Sequence, residues 1–301
     1  METILITGGS GIIGRRLSEL LVQHHFAVRH LSRKSTGTEK YPTFVWNIVE
    51  QFIDPKALEG VDHIIHLAGE NVGDGRWTAT RRKKILSSRI DSAHLILNKM
   101  QGQQLKSFIS ASGISYYGSN TSNQIFKETD PHGTDFLANV SVEWEKAAFQ
   151  FEDIAKRVVA LRTGVVLSPT GGALAQLIKP IKLGIGSALG SGKQYMPWLH
   201  LEDMCQIYLK AITDEGMVGI YNVASSVHIT NQEMVNALAK TCGKKLWAPK
   251  VPGFLLKLLF GEMSVIILEG SRVDNQKIKN AGFVFQYDSL EEALKSLILK
   301  K

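Results

Sequence analysis

Gly8, Gly11 and Gly14 stand three apart in TGGSGIIG, directly after the apolar run ILIT and at the start of an amphipathic segment. That spacing suits one task. The first glycine turns the chain tightly off a strand, the second lets backbone approach a diphosphate at a helix N-terminus, and the third lets helix and sheet pack closely. Placed after a first strand and opening a helix, the trio predicts dinucleotide binding. The end of the second strand chooses the dinucleotide. Chains that take NAD usually place Asp or Glu there for the ribose 2′-hydroxyl. Here the strand runs out in Leu31-Ser32-Arg33-Lys34, without a carboxylate, and its two cations suit a 2′-phosphate through charge-assisted hydrogen bonds. The expected cofactor is NADP(H).

Other chemistry-bearing residues are sparse. Cys205 and Cys242 are the only cysteines, which suggests neither a disulfide scaffold nor a metal-ligand set, so no metal is expected. His200 titrates near neutrality but sits in the strand-like LHL, where a packed histidine is the commoner outcome. The formal charge is +7, and Arg81-Arg82-Lys83-Lys84 is the densest basic run. No basic face with interleaved aromatics accompanies that run, so a solvated helix face is expected there rather than a nucleic-acid site.

These groups need elements to hold them. ILIT (4–7), AVRHLS (27–32), TFVWN (43–47), HIIHLA (63–68) and SFISAS (107–112) read as strands. Helices are predicted after the glycines, from about Thr78 as N-cap to Met100, and over 136–156, followed by RVVALRTGVVL (157–167) as a further strand. Strands alternating with helices of this length imply right-handed crossovers and the α/β class, with a Rossmann-type doubly wound parallel sheet. Beyond 167 the texture turns glycine-rich, GIYNVAS (219–225) is expected to rejoin the sheet, and Thr230 to cap NQEMVNALAKTCG. The expected division is an NADP-binding domain over 1–165 and a small mixed α/β substrate-side and C-terminal region over 166–301. FLLKLLF (254–260) reads as subdomain core or subunit contact rather than a membrane-surface helix, because the segment lacks a strongly basic polar face of its own. No apolar run approaches the roughly 18–20 residues of a membrane span. METILITGG enters a strand with no signal-peptide pattern, so a cytoplasmic setting is expected, with no membrane or nucleic-acid partner.

In this order the motifs resemble the extended short-chain dehydrogenase/reductase superfamily. TGGSGIIG resembles its glycine motif, HLAGEN (66–71) its adenine-ribose segment, SASGISYYG (110–118) its serine-bearing strand end, and WLHLEDM (198–204) its late strand and Asp-started helix. HLAGENVGDGRW, SSRI, FLANVSVEWE, LRTGVVLSPTGGAL, GSGKQYMPWLHLEDM, LEGSRV and AGFVFQY are similar, across almost the whole chain, to the atypical epimerase-like group with a short C-terminal domain, often labelled nucleoside-diphosphate-sugar epimerases. The resemblance implies NADP(H) on a Rossmann fold, with the substrate unassigned for most members. Carried over residue by residue, it implies a cofactor set of Gly8, Ser10, Gly11, Ile12, Ile13 and Gly14, with Ser32 and Arg33 on the 2′-phosphate. Leu67, Ala68 and Gly69 would line the adenosine, Arg89 of SSRI would face the cofactor with Lys84 a weaker candidate, and Val166 would lie near the nicotinamide. The superfamily commonly forms homodimers, and no residue pattern here decides the point.

The proton-transfer machinery does not carry over. Ordinary members pair a tyrosine with a lysine four residues on, whose ammonium lowers the phenol pKa. Aligned on the phrase ending in WE, those positions are Leu137 and Ser141. The substitutes at hand are Ser112 and Tyr116 first, then Glu70 in the AGEN turn, with Arg89 as the cation that could activate Tyr116. Sugar-nucleotide members commonly grip the diphosphate with an arginine where this chain has Met196, and Lys193 is a point charge without a fork. The first expectation is an NADP(H)-dependent, epimerase-like oxidoreductase acting on an unidentified small carbonyl or hydroxyl substrate. A cofactor-binding regulator or sensor with little chemistry is the alternative, and a nucleoside-diphosphate-sugar epimerase the third.

Overall fold

The computed structural model describes residues 1–100 and 102–299. In its first half the chain runs β1 (Thr3–Thr7), α1 (Ile12–Gln23), β2 (Ala27–Ser32), β3 (Thr43–Asn47), β4 (Phe52–Ile53), β5 (His63–His66), α2 (Ala79–Lys99), β6 (Ser107–Gly113), β7 (Ile125–Phe126) and α3 (Phe136–Phe149). It continues through β8 (Val158–Thr163), β9 (Val165–Leu167), α4 (Gly172–Lys182), β10 (Trp198–His200), α5 (Leu201–Thr213), β11 (Gly219–Val223) and α6 (Asn231–Thr241). The last stretch holds α7 (Gly253–Phe260), α8 (Val265–Leu268), β12 (Arg272–Val273), α9 (Gln276–Asn280) and α10 (Leu290–Ile298).

Eight strands form one sheet in the order β11-β8-β6-β5-β1-β2-β3-β4. Every pairing in it is parallel except β3 with β4 at the far edge. Ile4, Leu5 and Ile6 of β1 are fully buried, so the sheet must be covered on both faces. Successive side chains alternate between those faces. Ile4 and Ile6 pack with Leu17, Leu20 and Leu21 of α1 and Met204 and Ile207 of α5, while Leu5 joins Ala93 and Ile96 of α2 and Ala147 and Ala148 of α3. Each of the isoleucines and leucines contributes about 1.5–3 kcal/mol when fully buried. β1 pairs with β2 on one side and β5 on the other, so the chain leaves β1 in both directions. The carboxyl ends of β1 and β5 therefore make the switch-point crevice where open α/β sheets bind ligands.

Residues 219–223 do rejoin the sheet, at its edge beside β8. The run 157–167 is two strands rather than one. Gly164 N–H donates to Val223 O in the large sheet at 2.9 Å, and the next amide, Val165, donates to Pro197 O at 2.7 Å, after which β9 pairs with β10. A Cβ on Gly164 would lie 2.5 Å from Pro197 O, so the crossing needs glycine. The helix expected over 136–156 stops at Phe149 and tightens into a 3₁₀ turn over Gln150–Asp153, because Lys156 N–H must reach Leu105 O to start the next strand.

The late helix is not Asp-started. His200 caps α5 by accepting the Glu202 amide on Nδ1, while the Asp203 carboxylate accepts the amides of Gln286 and Tyr287 and ties down the C-terminal tail. Thr230 caps α6 as expected, in a reciprocal pair with Glu233. A second core gathers Leu174 and Ile181 of α4, Trp198, Met234 and Leu238 of α6, and Leu294 and Leu297 of α10. α7 contributes little to any core: Leu256 is its one buried residue. No helix among the described residues is long and apolar enough to cross a membrane.

Candidate functional site at the switch point

Gly8 turns with φ +71°, a conformation costly for residues with a Cβ. A Cβ there would also meet Leu67 C and O at 3.0 Å. Gly8 O accepts the Gly11 amide at 3.0 Å, and Gly11 becomes the N-cap of α1 with no side chain satisfying the first amides. Those open N–H groups, at the positive end of the helix dipole, form an anion cradle. Gly14 packs against the turn so tightly that a Cβ would lie 2.5 Å from Gly8 O and 2.7 Å from Gly9 Cα. Thr7 Oγ1 closes the seam between β1 and β5 by accepting the amides of Leu67 and Ala68 at 3.1 and 3.0 Å. Ser10 is exposed on the turn, and Ile12, Ile13, Leu67 and Val166 all pack, half-buried, against one core cluster. The loop after β9 reaches the same place: a Cβ on Gly172 would lie 3.7 Å from Ile12 Cδ1 and 3.9 Å from Val166 O.

At the end of β2, Ser32 is half-buried and Arg33 exposed, and Arg33 makes no ion pair among the described residues. On the other wall Gly69 is exposed, and a Cβ there would lie 2.9 Å from the Arg89 guanidinium carbon. Arg89 is only 8% exposed, donates to Glu70 O and Ile85 O, lies 4.7 Å over the Trp144 ring, and keeps Nε without a protein partner. Burial pulls its pKa down to about 10, against the opposing charge of Glu70. Trp144 in turn donates to His66 Nδ1 at 3.2 Å, which leaves Nε2–H facing Ser92 Oγ; burial lowers that imidazole to about 3.

Glu70 and Lys84 meet each other rather than the crevice. The Glu70 carboxylate takes Arg81 at 2.9 Å and Lys84 at 3.5 Å; burial raises its pKa, and the two cations more than offset that. Arg82 pairs with Glu262, so most of the basic run that reads as a solvated face is spent on ion pairs.

At the end of β6 the structure differs from expectation in detail. Ser112 is buried and donates to Glu145 Oε1 at 2.7 Å. Glu145, from α3, is held by both arms of Arg162 at 2.8 Å. Arg162 Nη1 continues to the Tyr117 hydroxyl at 2.9 Å, and Tyr117 donates to Asn222 Oδ1 at 2.7 Å. Burial pushes the Tyr117 phenol up to about 12. For Arg162, burial opposes the charge and Glu145 more than reverses that, leaving the guanidinium firmly protonated. The cation at Tyr116 is therefore Arg162, 3.2 Å from the ring centroid, and not Arg89. Tyr116 is half-buried and its hydroxyl makes no hydrogen bond among the described residues.

Leu137 packs with Trp77, Ile85, Val140 and Met263 in an apolar cluster. Ser141 donates to Leu137 O at 3.0 Å and lies 2.9 Å from Ser115 Oγ, so a pair of hydroxyls stands where the resemblance leads one to expect an ammonium. Ser112 offers only lone pairs outward, since its one proton goes to an acceptor-only carboxylate. Sequence reasoning missed Glu145, Arg162, Asn222 and Ser115. One signal was available: Glu145 and Arg162 are opposite charges in otherwise apolar segments, a helix face and a strand, and buried charges are paired.

Residues 4–224, which hold the whole sheet and crevice, match the family described as NAD dependent epimerase/dehydratase. The chain belongs to that family. Residues 251–297 of this epimerase/dehydratase family member, from α7 through most of α10, also match a domain of unknown function, DUF1731. Human epimerase family protein SDR39U1 (isoform 2), whose crystal structure was determined with NADPH, superposes with a TM-score of 0.89 at 29% identity, covering 99% of this chain and 100% of that one. Epimerase family protein Mb2239 of Mycobacterium bovis is 33% identical over 293 residues, 97% of this chain and 96% of its own. The chloroplastic SDR39U1 homolog of Arabidopsis thaliana is 32% identical over 307 residues, 98% of this chain and 86% of its own. The epimerase-like resemblance and the Rossmann-type fold read from the sequence are thus both found.

Proposed function

We propose that this chain binds NADP(H) across the β1–β5 crevice and works as an epimerase-like oxidoreductase on a small carbonyl or hydroxyl substrate, without a tyrosine–lysine pair. The observation that carries the reading is the Gly8–Gly14 turn, whose backbone leaves no room for a Cβ and whose amides at α1 are open. The diphosphate fits that cradle, and a human relative of the same length holds NADPH. When bound, the nicotinamide supplies hydride chemistry. The residues of the chain do the rest: the α1 amides hold the diphosphate, Arg33 and Ser32 take the 2′-phosphate, Leu67–Gly69 flank the adenosine, and Arg89 walls the crevice beside Gly69.

Arg33→Ala is expected to weaken NADPH binding by about 10–100-fold, the worth of one hydrogen-bonded charge, and to leave NADH affinity within about threefold. Fluorescence titration of both dinucleotides measures this; a wild-type chain that holds NADH as tightly as NADPH sinks the assignment.

For proton transfer the geometry favours Tyr116, with its free hydroxyl and a guanidinium beneath its ring, and Ser115 as the hydroxyl beside Ser141, which holds the missing lysine's position. Ser112 and Glu70, both engaged inward, position other groups. Tyr116→Phe is expected to lower turnover at least about 100-fold with NADPH affinity unchanged, read as NADPH consumption against a panel of aldehydes and ketones. Tight NADPH binding with no consumption by any compound would instead favour the regulator or sensor reading, which the apolar setting of Leu137 supports. The sugar-nucleotide reading lacks its arginine here, since Met196 at that position packs against the second core with Asn231 Nδ2 3.6 Å from its sulfur.

A further inference from the structure

Two stretches of the chain contain no carboxylate at all, residues 154–201 and 234–261. The fold lays parts of them side by side. Gly190 N–H donates to Val251 O at 2.9 Å, Val251 N–H to Ala188 O at 2.9 Å, and Ser187 Oγ to Pro249 O at 2.5 Å. On the lobe so formed Lys179, Lys182, Lys244, Lys245, Lys250 and Lys257 are all exposed. The same stretches expose Leu183 at 75%, Ile185 at 55%, Trp247 at 73%, Phe254 at 69%, Leu258 at 68% and Leu259 at 63%. Arg76 donates to the carbonyls of Leu258 and Leu259 and so anchors the last turn of α7 by its backbone, not by its side chains. Glu262, directly after the second stretch, is paired with Arg82, and Glu291 with Lys240.

So many large apolar side chains exposed within two short stretches mark an interaction surface, and the lysines beside them in sequence say with what. We propose that the lobe docks on an anionic lipid surface, with Trp247, Phe254 and the α7 leucines entering the headgroup boundary and the lysines facing lipid phosphates. The basic face that FLLKLLF lacks within its own sequence comes from neighbouring segments. A second copy of this chain would set like charge against like. Single-stranded nucleic acid is held by stacking on aromatic rings, whereas Leu183, Ile185, Leu258 and Leu259 have none. A bilayer interface takes Trp, Phe and Leu beside Lys, and an eight-residue helix is long enough to lie in it but not to cross it.

Flotation of the full chain with phosphatidylcholine vesicles, with and without phosphatidylglycerol, tests the assignment. Binding is expected only to the anionic vesicles, and it should fall as salt rises. At about fivefold per lysine, Lys244→Gln with Lys245→Gln should weaken partitioning about 25-fold. Leu258→Ser with Leu259→Ser should abolish it while NADPH affinity, read in the same preparations, stays at the wild-type value and certifies the fold. Equal binding to neutral vesicles, no binding to either, or variants that float like the wild type would each overturn the proposal. So would a dimer that the leucine pair dissolves without any vesicle binding, or RNA binding that the lysine pair abolishes while vesicles are ignored.

Discussion

Glu145→Ala is expected to lower the unfolding free energy by about 3–5 kcal/mol, the cost of stranding a buried charge. The side chains of Arg162 and Glu145 are only 1% and 6% exposed, and both arms of the guanidinium rest on the carboxylate. Removing the carboxylate leaves that guanidinium with Tyr117 and one carbonyl, and takes from Ser112 the acceptor of its proton. Urea unfolding measures the change. The pair itself need not be stabilising, since buried ion pairs often roughly break even against apolar replacements. Glu145→Leu combined with Arg162→Met should therefore recover most of the loss. A single-variant change under about 1 kcal/mol would mean that water reaches the pair.

The second large effect concerns the cradle. Gly14→Ala places a methyl 2.5 Å from Gly8 O and 2.7 Å from Gly9 Cα, both backbone, so no side chain can swing away to relieve it. Either α1 backs off β1 or the 8–11 turn opens, and both move the amides proposed to hold the diphosphate. Overpacking of this kind costs about 1–3 kcal/mol, and NADPH affinity is expected to fall about 100-fold. Fluorescence titration, with far-UV circular dichroism to confirm an intact fold, checks it. Affinity within about threefold of wild type would place the diphosphate elsewhere.

The sheet was readable because its central strands are buried on both faces and appear as short runs such as ILIT in β1 and HIIH in β5, while AVRHLS and TFVWN, only partly buried, coincide with β2 and β3 through their bounds. The cradle was readable because its constraint is local, three glycines within one turn of chain. What stayed hidden depends on partners far away in sequence. Nothing in RVVALRTGVVL announces that Gly164 bonds to Val223 and Val165 to Pro197. Tyr117 finds Asn222 across 105 positions, and Arg162 reaches Glu145 across 17, so the network under Tyr116 exists only once β6, β8, β11 and α3 have assembled. SSRI drew attention to Arg89, yet its resting place over Trp144 depended on how α2 meets α3.

Gly164 joins the two sheets without slack. Closure of a lobe over a ligand normally bends at a few loop residues that can absorb changes in φ and ψ. Here adjacent amides belong to different sheets, and no spare residue lies between them. Arg162 sits two positions before that junction, in β8. Any swing of the β9–β10 pair must therefore act as a lever on the strand that seats the guanidinium beneath Tyr116.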